Sequence, residues 1–275
     1  MKNQEAFLGE FIGTYLLVLF GTGAVAVSTL FEQYDGILPV ALVWGIAVTL
    51  GIYTTRNLCC AHFNPAVSIA MVASRRMSAR KLPVYLSAQF TGALAAAFTI
   101  YGIFANNIAT YESANHIIRG TQASRMSAKM FGEYYYFGGE QTVSMPLAMV
   151  AEGLGTFLLI LMIFVLTEGC NTGKPGNDLS PMFIGLSLCM VICLFAPLTQ
   201  AGFNPARDFS PRIVAFVFGW GEAAFPDAKG GFFFVYMFAP VVGGILAGML
   251  FTKVIEPTMD RKLTDCSCCD REEVL

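Results

Sequence analysis

The chain has 275 residues, 55% of them hydrophobic and only 13% charged. Its mean hydropathy is +0.60, and a soluble domain carries about 25% charged residues, so the composition is that of an integral membrane protein long enough for one compact helical bundle. A formal net charge of −2 lacks the basic footprint of a nucleic-acid binder, and no nucleic acid partner is expected.

Read in order, the chain alternates apolar spans with short loops. The first apolar stretch covers about 6–29, is longer than a signal-peptide core, and no clear cleavage site follows it. A short acidic loop leads to a second span at about 37–55. Residues 59–74 are too few to cross a bilayer, which takes about 20 residues. This piece enters and turns back, tolerable only if it lines a watery cavity or is buried in protein. Arg75, Arg76, Arg80 and Lys81 follow at once and mark that side as cytoplasmic. The third span is read at 82–104. The long polar stretch 106–142 is placed outside, with Tyr134, Tyr135 and Tyr136 at the interface. Spans four, five and six are read at 143–166, 181–198 and 232–254. A second short segment lies at 201–219, an inner turn loop at 168–180 and an outer loop at 220–231. Lys253, Arg261 and Lys262 put the C-terminal end in the cytoplasm with the N-terminus.

Both short segments carry Asn-Pro-Ala, at Asn64-Pro65-Ala66 and Asn204-Pro205-Ala206. Asn caps free backbone N–H groups and Pro suits the first helical position, so each box starts a half-helix. One such box alone reads equally as a helix cap in a surface loop. Two are paired here by an internal repeat. Gly9-Glu10-Phe11-Ile12-Gly13-Thr14 resembles Ala151-Glu152-Gly153-Leu154-Gly155-Thr156. Glu10 and Glu152 lie 142 residues apart, Asn64 and Asn204 140. Three spans per half is odd, so the second half is inverted, and the half-helices enter from opposite faces to meet near the midplane.

These paired boxes and paired Glu-x-x-Gly-Thr segments, in a six-span duplicated chain, resemble the major intrinsic proteins, the aquaporin and aquaglyceroporin family, over about residues 5–255. Asn-Pro-Ala-Arg-Asp in the second half is similar to the glycerol-facilitator branch. The resemblance implies an all-α membrane fold of six transmembrane helices plus two re-entrant half-helices. It implies a single channel domain over 1–255, with repeats at about 5–105 and 143–255, and a cytoplasmic tail at 256–275. It also implies a homotetramer with one pore per subunit in the plasma membrane, no cofactor and no enzymatic activity. The implied partners are the lipid bilayer and glycerol, water and similar small neutral solutes.

On this reading Asn64 and Asn204 are the pore midpoint, backed by helix N-termini that repel cations. Mapped from the boxes, the family's selectivity constriction falls on Trp44, Ile192, Ala201 and Arg207. Trp44 offers an apolar wall to a polyol's carbons and Arg207 donates to its hydroxyls. The alternative for Arg207 is an ion pair with a carboxylate such as Asp208, which is otherwise read as setting local geometry. The set departs from the usual glycerol pattern, with Gly at the fifth-span position and Phe near Ala201, and resembles the nodulin-like plant intrinsic proteins. Phe203 either fills the space beside Ala201 or packs against the bundle. Glu10 and Glu152, lone acids in apolar spans, are read by resemblance as acceptors for backbone N–H groups of the re-entrant loops, and Gln89 as a further support to loop backbone. His62 lines the pore and braces its loop, with pH sensing as the alternative. Gly13, Gly92, Gly155 and Gly243 let helices approach closely.

Among eight cysteines, Cys189 and Cys193 read as packing residues. Cys266, Cys268 and Cys269 mark either a plain tail or a site of acylation or metal binding. A mainly water-conducting pore and an inverted-repeat secondary transporter are the competing functions. A transporter needs coupling carboxylates at a central site, whereas these acids sit at duplicated, loop-bracing positions.

Overall fold

The computed structural model describes residues 2–136, 143–169, 171–225 and 230–260. In chain order its helices are α1 Asn3–Phe31, α2 Leu38–Thr55, the short α3 Pro65–Ala73, α4 Leu82–Ala114, the single turn α5 Arg125–Ala128, α6 Met145–Thr167, α7 Ser180–Thr199, the short α8 Pro205–Ala215, and α9 Phe233–Asp260. Six of these are long and apolar enough to cross a membrane. The described residues contain no strand.

Burial follows side-chain size in the reverse of a soluble core. Ala88, Ala93, Ala96 and Ala97 of α4 are inside, while Leu50, Ile103, Met190 and Leu194 face outward. Lipid offers no hydrophobic drive for helix association, so close backbone approach and polar contacts hold the bundle. α1 packs on α4 and α6 on α9, the equivalent pair of the second half; α2 against α7 joins the halves. The short helices are exchanged across this division, α3 lying along α9 and α8 along α4. A Cβ added at Gly45 would lie 2.5 Å from the Gly185 carbonyl oxygen, and one at Gly92 2.5 Å from that of Phe11. Gly243 meets the Gly153 carbonyl more closely still. Gly13 and Gly155 differ from the sequence expectation: they make room for the Phe63 and Phe203 rings rather than for another helix.

Several boundaries move. α4 continues ten residues past its expected end at 104, because hydropathy falls at Asn106 and Asn107 where the helix leaves the apolar layer, while nothing there breaks it. Its last turns are anchored by Glu112, which accepts from Arg119 Nε at 2.8 Å and Ser127 Oγ at 2.7 Å. Tyr134 and Tyr135 are buried, not interfacial. Trp220, expected in a loop, is fully buried; it donates to Ser127 Oγ at 2.9 Å and carries the Arg119 guanidinium 3.9 Å above its ring. α9 runs on to Asp260, past the start expected for the tail. Arg261, Lys262, Cys266, Cys268 and Cys269 lie outside the described residues.

Replacing Gly45 or Gly243 by Leu forces backbones apart, and overpacking of this kind costs about 1–3 kcal/mol. A fall of roughly 3–10 °C in the melting temperature of the detergent-purified protein is expected. Gly102→Ala, with nothing within 4 Å of the added carbon, serves as the silent control.

Candidate functional site

The two boxes meet head to head. Asn64 Oδ1 accepts from Ala66 N at 2.8 Å; Asn204 Oδ1 accepts from Ala206 N at 3.1 Å and Arg207 N at 3.2 Å. Each Asn therefore caps its own half-helix. Each also reaches across: Asn64 Nδ2 donates to Phe203 O at 2.9 Å and Asn204 Nδ2 to Phe63 O at 2.8 Å. An amide nitrogen carries two hydrogens, so one on each Asn remains for the cavity that both residues line.

This reciprocal link needs an unusual backbone. Ala61 and Phe63 before the first box, and Ala201 and Phe203 before the second, have φ between 52° and 64°. Non-glycine residues avoid this region, and it persists where surrounding structure over-determines it. Buried carboxylates supply that determination. Glu10 Oε1 accepts from His62 N at 2.8 Å, and Oε2 from Phe63 N at 2.8 Å. Glu152 Oε1 accepts from Gly202 N at 2.9 Å and Thr199 Oγ1 at 2.6 Å, and Oε2 from Phe203 N at 2.7 Å. Gln89 Nε2 donates to Glu10 Oε2 at 2.8 Å and Ser68 Oγ at 2.9 Å. Its partners are thus side chains and not the loop backbone expected, because the carboxylate stands between it and the loop. The His62 ring sits 3.0 Å from Ser68 Oγ through Nδ1 and 5.0 Å from the Tyr85 ring. Phe203 packs edge-on to Phe195, over Gly155.

Two cavities lie along the bundle. A narrow inner one of about 50 Å³ is lined by His62, Asn64, Asn204, Phe203 and apolar residues of α1, α2, α6 and α7. An outer one of about 290 Å³ is lined by Lys129, Glu133, Gln200 and residues of α1 and α2. Four residues line both: Trp44, Ile192, Ala201 and Arg207. They form the ring between the two spaces. The Arg207 guanidinium lies 4.3 Å from the centroid of the Trp44 ring, a cation–π contact that fixes an apolar face beside a donor fork.

Asp208 is not the partner of Arg207. Consecutive helical residues diverge, whereas i and i+4 share a face, and Asp208 accepts from Arg212 Nε and Nη2, both at 2.8 Å. The carboxylate paired with Arg207 is Glu133, from the segment before α6. Its side chain is 4% exposed and that of Arg207 6%. Glu133 is held by its backbone as well: its N donates to Asp208 Oδ1 at 2.9 Å, and its carbonyl accepts from Arg212 Nη2. Sequence reasoning passed over Glu133 and Lys129. They lie in the stretch between the halves, which has no repeat partner; an acid beside three tyrosines was the only local mark.

The chain matches the family described as "Major intrinsic protein" over residues 1–251. The chain belongs to that family. Among its relatives, the glycerol uptake facilitator protein of Pseudomonas aeruginosa is 37% identical over 240 residues, 87% of this chain and 84% of that protein. The glycerol uptake facilitator protein of Haemophilus influenzae is 35% identical over 262 residues, 95% and 96% of the two chains. The X-ray structure of the aquaglyceroporin from Plasmodium falciparum superposes with a TM-score of 0.81 at 27% identity, covering 94% of this chain and 99% of that one. Major intrinsic proteins are multi-pass membrane channels, in keeping with six apolar helices.

Glu10→Ala or Glu152→Ala leaves two buried backbone N–H groups of a re-entrant loop without acceptors, each worth roughly 1–3 kcal/mol. A drop of roughly 5–20 °C in melting temperature is expected, smaller for Glu→Gln, which retains one acceptor oxygen. An unchanged melt would show that the loops hold their shape without the carboxylates.

Proposed function

We propose that this major intrinsic protein is a passive channel for glycerol and similar small uncharged solutes, with water also passing and ions excluded. The observation that carries this reading is the ring of Trp44, Ile192, Ala201 and Arg207 shared by both cavities. Glycerol carries carbons on one edge and hydroxyls on the other. Trp44 and Ile192 line the carbon edge, and Arg207 donates to hydroxyl oxygens. Small Ala201 leaves room that a bulky residue would close. Beyond the ring the spare N–H groups of Asn64 and Asn204 take over the donor role, so a solute exchanges one set of hydrogen bonds for another and is not trapped.

Ion exclusion follows from the same parts. Two half-helix N-termini face one midpoint, each equivalent to about half a positive charge, and the inner wall is otherwise largely apolar. A cation would shed water without gaining an anionic ligand. Passage involves no bond making or breaking.

The basic face carries Arg75, Arg76, Arg80 and Lys81. Arg76 there bridges Glu168 and Glu256, each at 2.6 Å. We assign this face to the cytoplasm, which puts both chain ends inside and Glu133 outside, with the plasma membrane as the site of action. The pore lies within one chain, and the family resemblance supports a homotetramer of separate pores.

In stopped-flow light scattering on proteoliposomes, glycerol flux above that of empty vesicles is expected, along with water flux and with no dependence on a proton or sodium gradient. Absence of facilitated glycerol flux would overturn the reading. Replacing Arg207 by Val together with Glu133 by Gln, so that no unpaired buried carboxylate is left, is expected to preserve the fold and raise proton or cation leak, read with a pH-sensitive dye; an unchanged leak would remove Arg207 from the barrier.

A further inference from the structure

We propose that Glu133 is the residue that sets the charge of the constriction: ionised, it neutralises Arg207 and pins its guanidinium to the wall; protonated, it leaves an uncompensated cation, so that solute passage depends on external pH. This rests on the channel reading above.

Three observations place it there. Glu133 lines the outer cavity and pairs with Arg207, which stands in the ring between the two cavities. Both side chains are almost wholly buried, so solvent screens the pair little and each charge is felt strongly by its neighbour. The Glu133 backbone is clamped at both N–H and carbonyl by the Asp208–Arg212 pair, which keeps the carboxyl against Arg207.

The groups facing Glu133 divide by sign. Arg207 and Arg212 of α8 favour its ionised form. Lys129 lies four residues before it; burial pushes the Lys129 ammonium below its usual range, and the charge of Glu133 counters that in part. Asp208 opposes ionisation, and Tyr236 of α9 also lies within its electrostatic reach. From α1 and α2 the cavity receives Val25, Ser28, Thr29, Val40 and Trp44, none of which titrates near neutrality. Burial dominates and pushes the Glu133 carboxyl up to about 7, with Asp208 adding to the rise and Arg207 and Arg212 countering it. As external pH falls through the neutral range, the carboxyl therefore takes up a proton.

The consequence is a change in how tightly the ring holds a passing oxygen. A paired guanidinium presents a nearly neutral donor. An unpaired one in a poorly screened space binds lone pairs more strongly and is less well anchored, and conduction requires that binding be weak enough to leave.

The test uses the full chain in cells whose interior pH is clamped, with external pH varied between about 5.5 and 8.5. Glycerol permeability is expected to fall about threefold from the alkaline to the acid end. Glu133→Gln is expected to give the low value at every pH, with equal surface expression; Glu133→Ser replaces it should Gln fail to reach the membrane. A flat wild-type profile, or a variant that keeps the wild-type pH step, would overturn the proposal. A channel with no glycerol flux at any pH would instead overturn the reading on which it rests.

Discussion

Everything at the centre of this molecule depends on the reciprocal hydrogen bonds by which Asn64 and Asn204 each donate to the loop of the other half, at 2.9 Å and 2.8 Å. Irregular backbone inside a membrane must find its own partners or line a watery space, and these loops do both. The crossed bonds tie two chain reversals, formed far apart in sequence, into one unit. The buried carboxylates of Glu10 and Glu152 then hold each loop in the left-handed conformation that the crossing demands. The costs of burying an acid and of bending a non-glycine residue offset each other: the acid gains backbone donors and the loop gains acceptors.

The constriction is a consequence of that unit. Ala201 lies two residues before Phe203 and Arg207 three after Asn204, so the crossed loops place both. Trp44 and Ile192 come from α2 and α7, the helices whose contact joins the halves at Gly45 and Gly185. The ring between the two cavities is thus set where the two halves touch, and a change in helix spacing there alters it directly.

What the sequence revealed was what the repeat displays twice. Asn64 with Asn204 and Glu10 with Glu152 stood out because each has a counterpart at nearly the same offset. Spans were visible wherever hydropathy and helix end together. They were misjudged at α4, where a continuous helix leaves the apolar layer near Asn106 and runs on to Ala114. The segment between the halves has no duplicate and no periodicity, so Glu133 and the buried Tyr134 and Tyr135 were illegible, whereas the i, i+4 spacing of Asp208 and Arg212 on one half-helix was there to be read. Trp220 was hidden for a related reason: the Arg119 and Ser127 contacts that bury it come from chain about a hundred residues earlier.

The matched left-handed turns at Ala61–Phe63 and Ala201–Phe203 carry a further implication. The two loops share this main-chain shape but not their side chains: His62 and Val67 of one stand where the other has Gly202 and Arg207, and all four line the same cavity. The middle of the conduit is thus symmetric in its main chain and polar in its lining, with a guanidinium on one side of the paired Asn residues and an imidazole on the other. The pseudo-symmetry is broken again at the mouths, by Lys129 and Glu133 at one end and by Arg76 with Glu168 and Glu256 at the other.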